Sequence, residues 1–354
     1  MSDEQPGVID WALADRVARG LAGNGSGKRA VKVAEIKKAA RGSAGMVRDY
    51  TGLETRGRLP SPETLDRREW ISANIEGMRR MSGAAEETLA RSLSAPRPVG
   101  PGVRAAVGAA AGIELGLVGA FMAQRVLGQY DIALLGPSRR PRLLFVAPNL
   151  AEAQSRLGVE REPFLRWIAL HEATHAVQFS AVPWLRGHLG EMAQELMGAA
   201  FEGVSIKALA ESVRRLATDP WRIIEGVRGG EWLSPFLGAG RVQTFARLQA
   251  TMSVVEGYSE HAMDGIGAQL GPEYAQLRER VEGRRDGRNL LEMLVSRLLG
   301  LEMKMSQYRQ GKAFCDEVVR RRDLKTLNRV WSEPAAMPRP SELTQPGRWI
   351  KRVA

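Results

Sequence analysis

The sequence predicts a mainly α protein with a small β-sheet, an α+β chain of 354 residues. Three observations carry this expectation. Apolar residues recur at helical steps of three and four along most of the chain. Strand signal is confined to two short apolar runs, Tyr130 to Leu135 and Leu143 to Ala147. Gly136-Pro137 and basic turn residues join them, as in a hairpin. Third, His171-Glu172-Ala173-Thr174-His175 places two of only four histidines one helical turn apart, with a glutamate between them.

Residues 7–20 read as a short helix carrying Val8, Ile9, Trp11 and Val17. The run Gly23-Asn24-Gly25-Ser26-Gly27-Lys28 has the glycines of a phosphate-binding loop. Arg29, however, stands where that loop needs Ser or Thr, and no apolar strand precedes it, so a connector is expected. One helix is expected from Val31 to Tyr50, a break at Pro60-Ser61-Pro62, and an amphipathic helix from Asp66 to Met81. Pro148 closes the second strand, and Glu162-Pro163 opens a helix in which Phe164, Trp167, Ile168, His171, His175 and Phe179 share a face. After Pro183 the chain reads as helical: 188–216, 220–226, 242–263, 274–281, 290–315 and 323–331. The proline-rich stretch from Pro334 to Pro346 is expected to wrap the surface, with Trp349 docking. There are no internal repeats. The regions expected are a helical part (1–100), a core (101–333) and a tail (334–354).

Composition narrows the classes. A hydrophobic content of 44% is that of a globular chain. The first residues lack a basic-then-apolar export pattern, so a cytoplasmic location is expected. The most apolar stretch, Val107 to Leu127, is rich in Gly and Ala and interrupted by Glu114, Gln124 and Arg125. That pattern fits a buried helix with a small-residue packing face better than a membrane span. The single cysteine, Cys315, excludes an internal disulfide and a thiolate zinc cluster, and is expected to pack. Net charge +11 and pI ≈ 10.2 raise the question of nucleic acid. The basic residues are scattered, with no nucleic-acid motif and no interleaved aromatics, so neither nucleic acid nor membrane is an expected partner.

The histidine motif carries the chemistry. Side chains at i and i+4 share a helix face, so His171 and His175 can reach one metal ion while Glu172 reaches a water beside it. This is the H-E-x-x-H arrangement of zinc hydrolases, and in so His-poor a chain composition alone would produce about 0.004 such patterns. Catalytic zinc needs a third protein ligand and one open position. The expected source is Glu256-Gly257-Tyr258-Ser259-Glu260-His261, inside a predicted helix. Glu256 is the expected ligand and Glu260 the group that orients an imidazole, with Glu260 as the alternative ligand. Gly257 would let another backbone come close.

The chain resembles a bacterial zincin-like family of zinc metallopeptidases, typical of actinobacteria, one branch of which is associated with biosynthesis of the deazaflavin redox coenzyme. The matching segments are Val8-Ile9-Asp10-Trp11, Asp49-Tyr50-Thr51-Gly52-Leu53 and Val126-Leu127-Gly128-Gln129-Tyr130-Asp131. Further along come Val146-Ala147-Pro148-Asn149, Leu170 to Phe179, Glu256 to Asp264, and Leu301 to Tyr308. The resemblance implies a zincin-like metallopeptidase fold and Glu256 as the metal ligand of the E-G-x-x-E motif. It implies no particular substrate.

In this reading Zn2+ polarises a scissile carbonyl and acidifies water, and Glu172 acts as general base on a peptide or small amide. Candidate transition-state stabilisers are His261, Tyr258 and Tyr308, with His188 a further one. His261 lies about 140° around the helix from Glu256. Gln178 and Asp264 are candidates to orient site groups, and the strand Leu143 to Ala147 to pair with an extended peptide. The rival is a catalytically silent, zinc-stabilised binding or regulatory protein, which would have no use for Glu172.

Overall fold

A three-stranded sheet and one fully buried helix organise the molecule. The computed structural model describes residues 8–23, 31–94, 100–131, 140–201, 239–282 and 306–353. The sheet has the order β1-β3-β2: β1 (Pro62–Leu65), β2 (Gly128–Asp131) and β3 (Arg142–Val146). β3 pairs in parallel with β1 and antiparallel with β2. The expected antiparallel pairing is present, with its first strand at Gly128–Asp131 and residues 132–139 outside the described residues, while β1 lies where only a proline break was expected. Because β3 is paired on both sides, it cannot add an extended peptide. That expectation is corrected: β1 and β2 are the edges.

The helices α1 (Trp11–Leu21), α2 (Val33–Ala39), α3 (Ser43–Thr51), α4 (Arg67–Ser94) and α5 (Pro101–Ala123) precede the hairpin. The single helix expected over 31–50 is two, because Gly42 takes a left-handed conformation (φ +81°) between them. α5 is long and apolar enough to cross a membrane by length and composition. In the fold it presents Gly108, Gly112 and Gly116 to α1, where a Cβ would strike the Val8 and Asp10 carbonyls and the Val17 side chain. The expected small-residue packing face is thus used against a protein helix.

β3 runs directly into α6 (Ala147–Leu157), with Pro148 in its first turn, where a missing N–H costs nothing. Pro148 therefore begins a helix as well as ending a strand. Asn149 then ties three segments: its amide donates to the Ala123 and Val126 carbonyls at 2.8 and 2.6 Å, and its oxygen accepts from Arg67 Nε at 2.7 Å. Arg67 continues to Glu152 at 2.7 Å. This knot fixes the chain between α5 and β2, and so the place of the edge strand.

α7 (Arg161–Ala181) carries the histidines. Every residue from Trp167 to Gln178 is buried, so the helix is enclosed on all sides and not on one face alone. α2, α3, β2, α9 (Ala239–Gly267) and α10 (Pro272–Glu282) pack around it. α8 (Pro183–Phe201) follows α7, and α9 also packs on α11 (Ser306–Arg321). The helix expected over 220–226, the last part of 188–216 and the first part of 290–315 lie outside the described residues. The tail folds as α12 (Leu324–Leu327), two 3-10 turns, α13 (Pro340–Leu343) and α14 (Pro346–Val353). Trp349 is fully buried, donates to the Ala336 carbonyl at 2.7 Å and meets Phe314 edge-on, so it docks as expected.

Asn149→Ala removes both donated bonds and leaves the Arg67 Nε without its acceptor. A loss of about 1–3 kcal/mol is expected in urea unfolding; an unchanged midpoint would show that the knot contributes nothing.

Candidate metal centre

α7 supplies His171 and His175 and α9 supplies Glu256, and the three meet in the interior. The two Nε2 atoms are 3.2 Å apart. Glu256 Oε2 lies 3.4 Å from His175 Nε2 and 3.7 Å from His171 Nε2. Ligand atoms of a tetrahedral ion with bonds of about 2.0–2.1 Å stand about 3.3 Å from one another, so these three edges have the right length to share one ion.

The hydrogen-bond pattern fits a cation as well. His175 Nδ1 is 3.0 Å from Gln178 Oε1, while Gln178 Nε2 donates to the Val255 carbonyl at 3.0 Å. With its NH2 end so engaged, Gln178 offers His175 an oxygen, and Nδ1 carries the hydrogen. His171 Nδ1 faces Ser259 Oγ at 3.4 Å. In a neutral His175 the Nε2 lone pair then points at the cluster. Neither Glu256 oxygen has a hydrogen-bond partner among the described residues, although the side chain is only 1% exposed. Buried lone pairs and an unpartnered carboxylate together are costly unless a positive charge sits among them.

Without a metal, a proton takes that part. Burial opposes protonation of His175, but the Glu256 carboxylate outweighs it and lifts His175 to about 9. Burial, and then the charge on His175, press His171 down to about 3. Burial works to raise Glu256, yet the histidines hold it below the usual carboxylate range.

Glu172 projects from the same turn toward β2, 2% exposed and with Oε2 unpartnered among the described residues. Burial pushes it up to about 7, against the pull of His175. A carboxyl with this proton affinity suits transfer near neutral pH.

The other candidates fall elsewhere. Glu260, one turn beyond Glu256, faces Arg278 Nη2 at 4.0 Å, and burial raises it to about 8. The imidazole partners in its stead are Gln178, which the sequence had suggested, and Ser259, which it had not. Asp264 pairs with Arg278 at 3.1 Å and Lys312 at 2.9 Å. His261 has both ring nitrogens engaged away from the cluster, Nδ1 with Asp316 at 2.7 Å and Nε2 with the Tyr50 hydroxyl at 3.2 Å. Tyr258 donates to Asn328 Oδ1 at 2.7 Å, and Asn328 donates to the Thr51 carbonyl. His188 stands edge-on to Trp184. The Tyr308 side chain lies outside the described residues. The structure therefore brings His171, His175, Glu172 and Glu256 together and turns His261 and Tyr258 toward other partners.

Two glycines hold α9 in place. A Cβ on Gly257 would enter the backbone of Gly311 in α11, and one on Gly311 would enter the Ser253 carbonyl. The close backbone approach expected at Gly257 is thus present, and Gly311 is its unforeseen counterpart. The segment Asp49 to Leu53 braces the same helix through Tyr50 and Thr51, and Gly265 leaves room for the Tyr50 ring.

A mainly helical fold with a buried His-His-Glu cluster able to hold a metal, set on an H-E-x-x-H helix, defines a protein of the zincin kind. The profile of the zincin-like metallopeptidase family matches residues 9–350, and the chain belongs to that family. A solved structure from Chloroflexus aurantiacus, described as a candidate hydrolase with a novel fold, is similar along its whole length. Identity is 32%, the TM-score is 0.68, and the match covers 97% of this chain and 98% of that one. No curated protein matches the sequence. The family implies a metal, typically zinc, and enzymatic hydrolysis.

Gln178→Leu removes the acceptor that fixes His175 while keeping similar volume. Affinity for Zn2+ should fall about 10–100-fold in competition with a chromogenic chelator; native affinity would mean that Gln178 does not orient the ligand.

Proposed function

We propose that the protein is a zinc-dependent metallopeptidase that hydrolyses peptide (amide) bonds. In this reading His171, His175 and Glu256 hold the zinc and Glu172 is the general base. The carrying observation is the contrast within one turn of α7. Two side chains converge on an unpartnered carboxylate, and the one between them points aside with a free oxygen. Zinc bound there supplies Lewis acidity toward a water molecule and a scissile carbonyl. Glu172 takes the water proton and delivers it to the leaving amine. Gln178 and Ser259 keep the imidazoles turned toward the cluster, and the enclosed setting strengthens each of these interactions.

The unpartnered Oε2 of Glu172 also separates this reading from a silent, zinc-stabilised binding protein. A purely structural site gains nothing from burying a fourth titratable group with one oxygen unpartnered among the described residues. The four residues are at most 3% exposed, which favours small peptides or modified amides as substrates. Nucleic acid and membranes are not partners in this reading, and the location is the cytoplasm. In this reading the protein belongs to the actinobacterial, deazaflavin-associated branch that its motifs resemble.

Metal analysis of the native protein, Glu172→Ala and Glu256→Ala, combined with a broad peptide-cleavage screen, tests the assignment. Glu172→Ala should keep its zinc and lose about 10²–10⁴-fold in turnover. Glu256→Ala should lose most of its zinc. Full activity in both variants would defeat the reading.

A further inference from the structure

β2 has a feature that neither its conformation nor its pairing explains. Gly128 opens the strand on the side of the sheet facing α7, and it is not among the glycines with a left-handed backbone. Any residue could take its backbone conformation. In a strand, glycine is a poor choice, since it packs nothing and loses the most freedom on folding. The reason for it lies across the gap to α7. A Cβ at position 128 would stand 2.7 Å from both Cγ and Oε1 of Glu172 and 2.9 Å from its Cδ. Carbon atoms in contact rest about 3.5–4.0 Å apart, so a methyl group and the Glu172 carboxyl cannot both be where they are.

The register of the sheet adds a second constraint. Val146 N donates to the Leu127 carbonyl at 2.9 Å, which sets the phase of the antiparallel ladder. Alternate residues then bond to β3, and the peptide groups of Gly128 and Tyr130 face away from it. The Tyr130 N–H is directed at the Glu172 carboxylate and favours its charged form. Behind the strand, Asn149 grips the Val126 carbonyl and Arg67 grips Asn149, so β2 cannot retreat to make room.

We infer that Gly128 is a positioning residue for Glu172: its missing side chain is the seat of the carboxyl, and the edge strand sets where that group stands relative to the His171–His175–Glu256 cluster. The inference rests on the reading of Glu172 as the general base, and it deepens that reading by naming what aims the base. The three heavy atoms nearest a Cβ at position 128 all belong to Glu172.

A double-mutant cycle in thermal stability tests it without depending on turnover. Four proteins are compared at equal Zn2+: native, Gly128→Ala, Glu172→Ala and the double variant. Gly128→Ala should lower Tm by about 2–4 °C or more in the native background. In the Glu172→Ala background the same change should leave Tm unchanged or raise it, because the clash has gone and alanine suits a strand better. The zinc content of Gly128→Ala should match the native value. Equal falls in both backgrounds, or no fall in the native one, would overturn the inference, as would loss of zinc from Gly128→Ala. If Gly128→Ala does not fold alone, recovery in the double variant supports the inference and failure of both overturns it. Native-level cleavage by Glu172→Ala would sink the hydrolase reading and leave the stability cycle to be judged separately.

Discussion

Two imidazole nitrogens and a carboxylate, brought within 4 Å of one another and shut away from water, need a positive charge among them. The structure around them is the means by which α7 and α9 are kept together in spite of that need. Gln178 is the most economical part of it. One end of its amide fixes the hydrogen of His175, and the other holds the carbonyl of Val255, the residue before Glu256. The side chain that orients His175 therefore also sets the height of α9 against α7, and with it the position of Glu256. In a low-dielectric interior such coupled bonds are strong when complete and expensive when one member is lost.

Close helix approach makes the arrangement possible. Gly257 and Gly311 let α9 and α11 cross backbone to backbone, which seats α9 deeply enough for Glu256 to reach the histidines. Tyr50 and Asn328 engage α9 as well, through His261 and Tyr258. These two residues of the E-G-Y-S-E-H segment look catalytic by type, yet here they anchor the helix that bears the ligand.

The sequence made the histidine helix, the glutamate segment and the sparse sheet legible, because each rests on local periodicity and on residue types that metal chemistry demands. Glu256 could be named because a carboxylate was required and few lay in apolar surroundings. What it did not reveal depends on contacts across the chain. Ser259 gives no signal until α9 is set beside His171. Gly128 looks like any glycine near a turn until Glu172 is placed against it. Glu260 was expected to face an imidazole on helical spacing alone, and Arg278, from a separate helix, draws it aside. β1 was missed because four residues beside two prolines carry almost no strand pattern, and parallel pairing with β3 supplies what propensity does not.

His171, Glu172 and His175 share one turn of helix but are governed by different neighbours. His171 and His175 answer to Ser259, Gln178 and Glu256, all on α7 or α9. Glu172 answers to β2, whose position follows from Asn149, Arg67 and the end of α5. A disturbance of the helical pair therefore reaches metal affinity first, and a disturbance of the knot reaches the aim of Glu172 first. This division explains why segments far from the cluster, such as Val146 to Asn149, belong to the site in a physical sense. They hold the strand against which the Glu172 carboxyl stands.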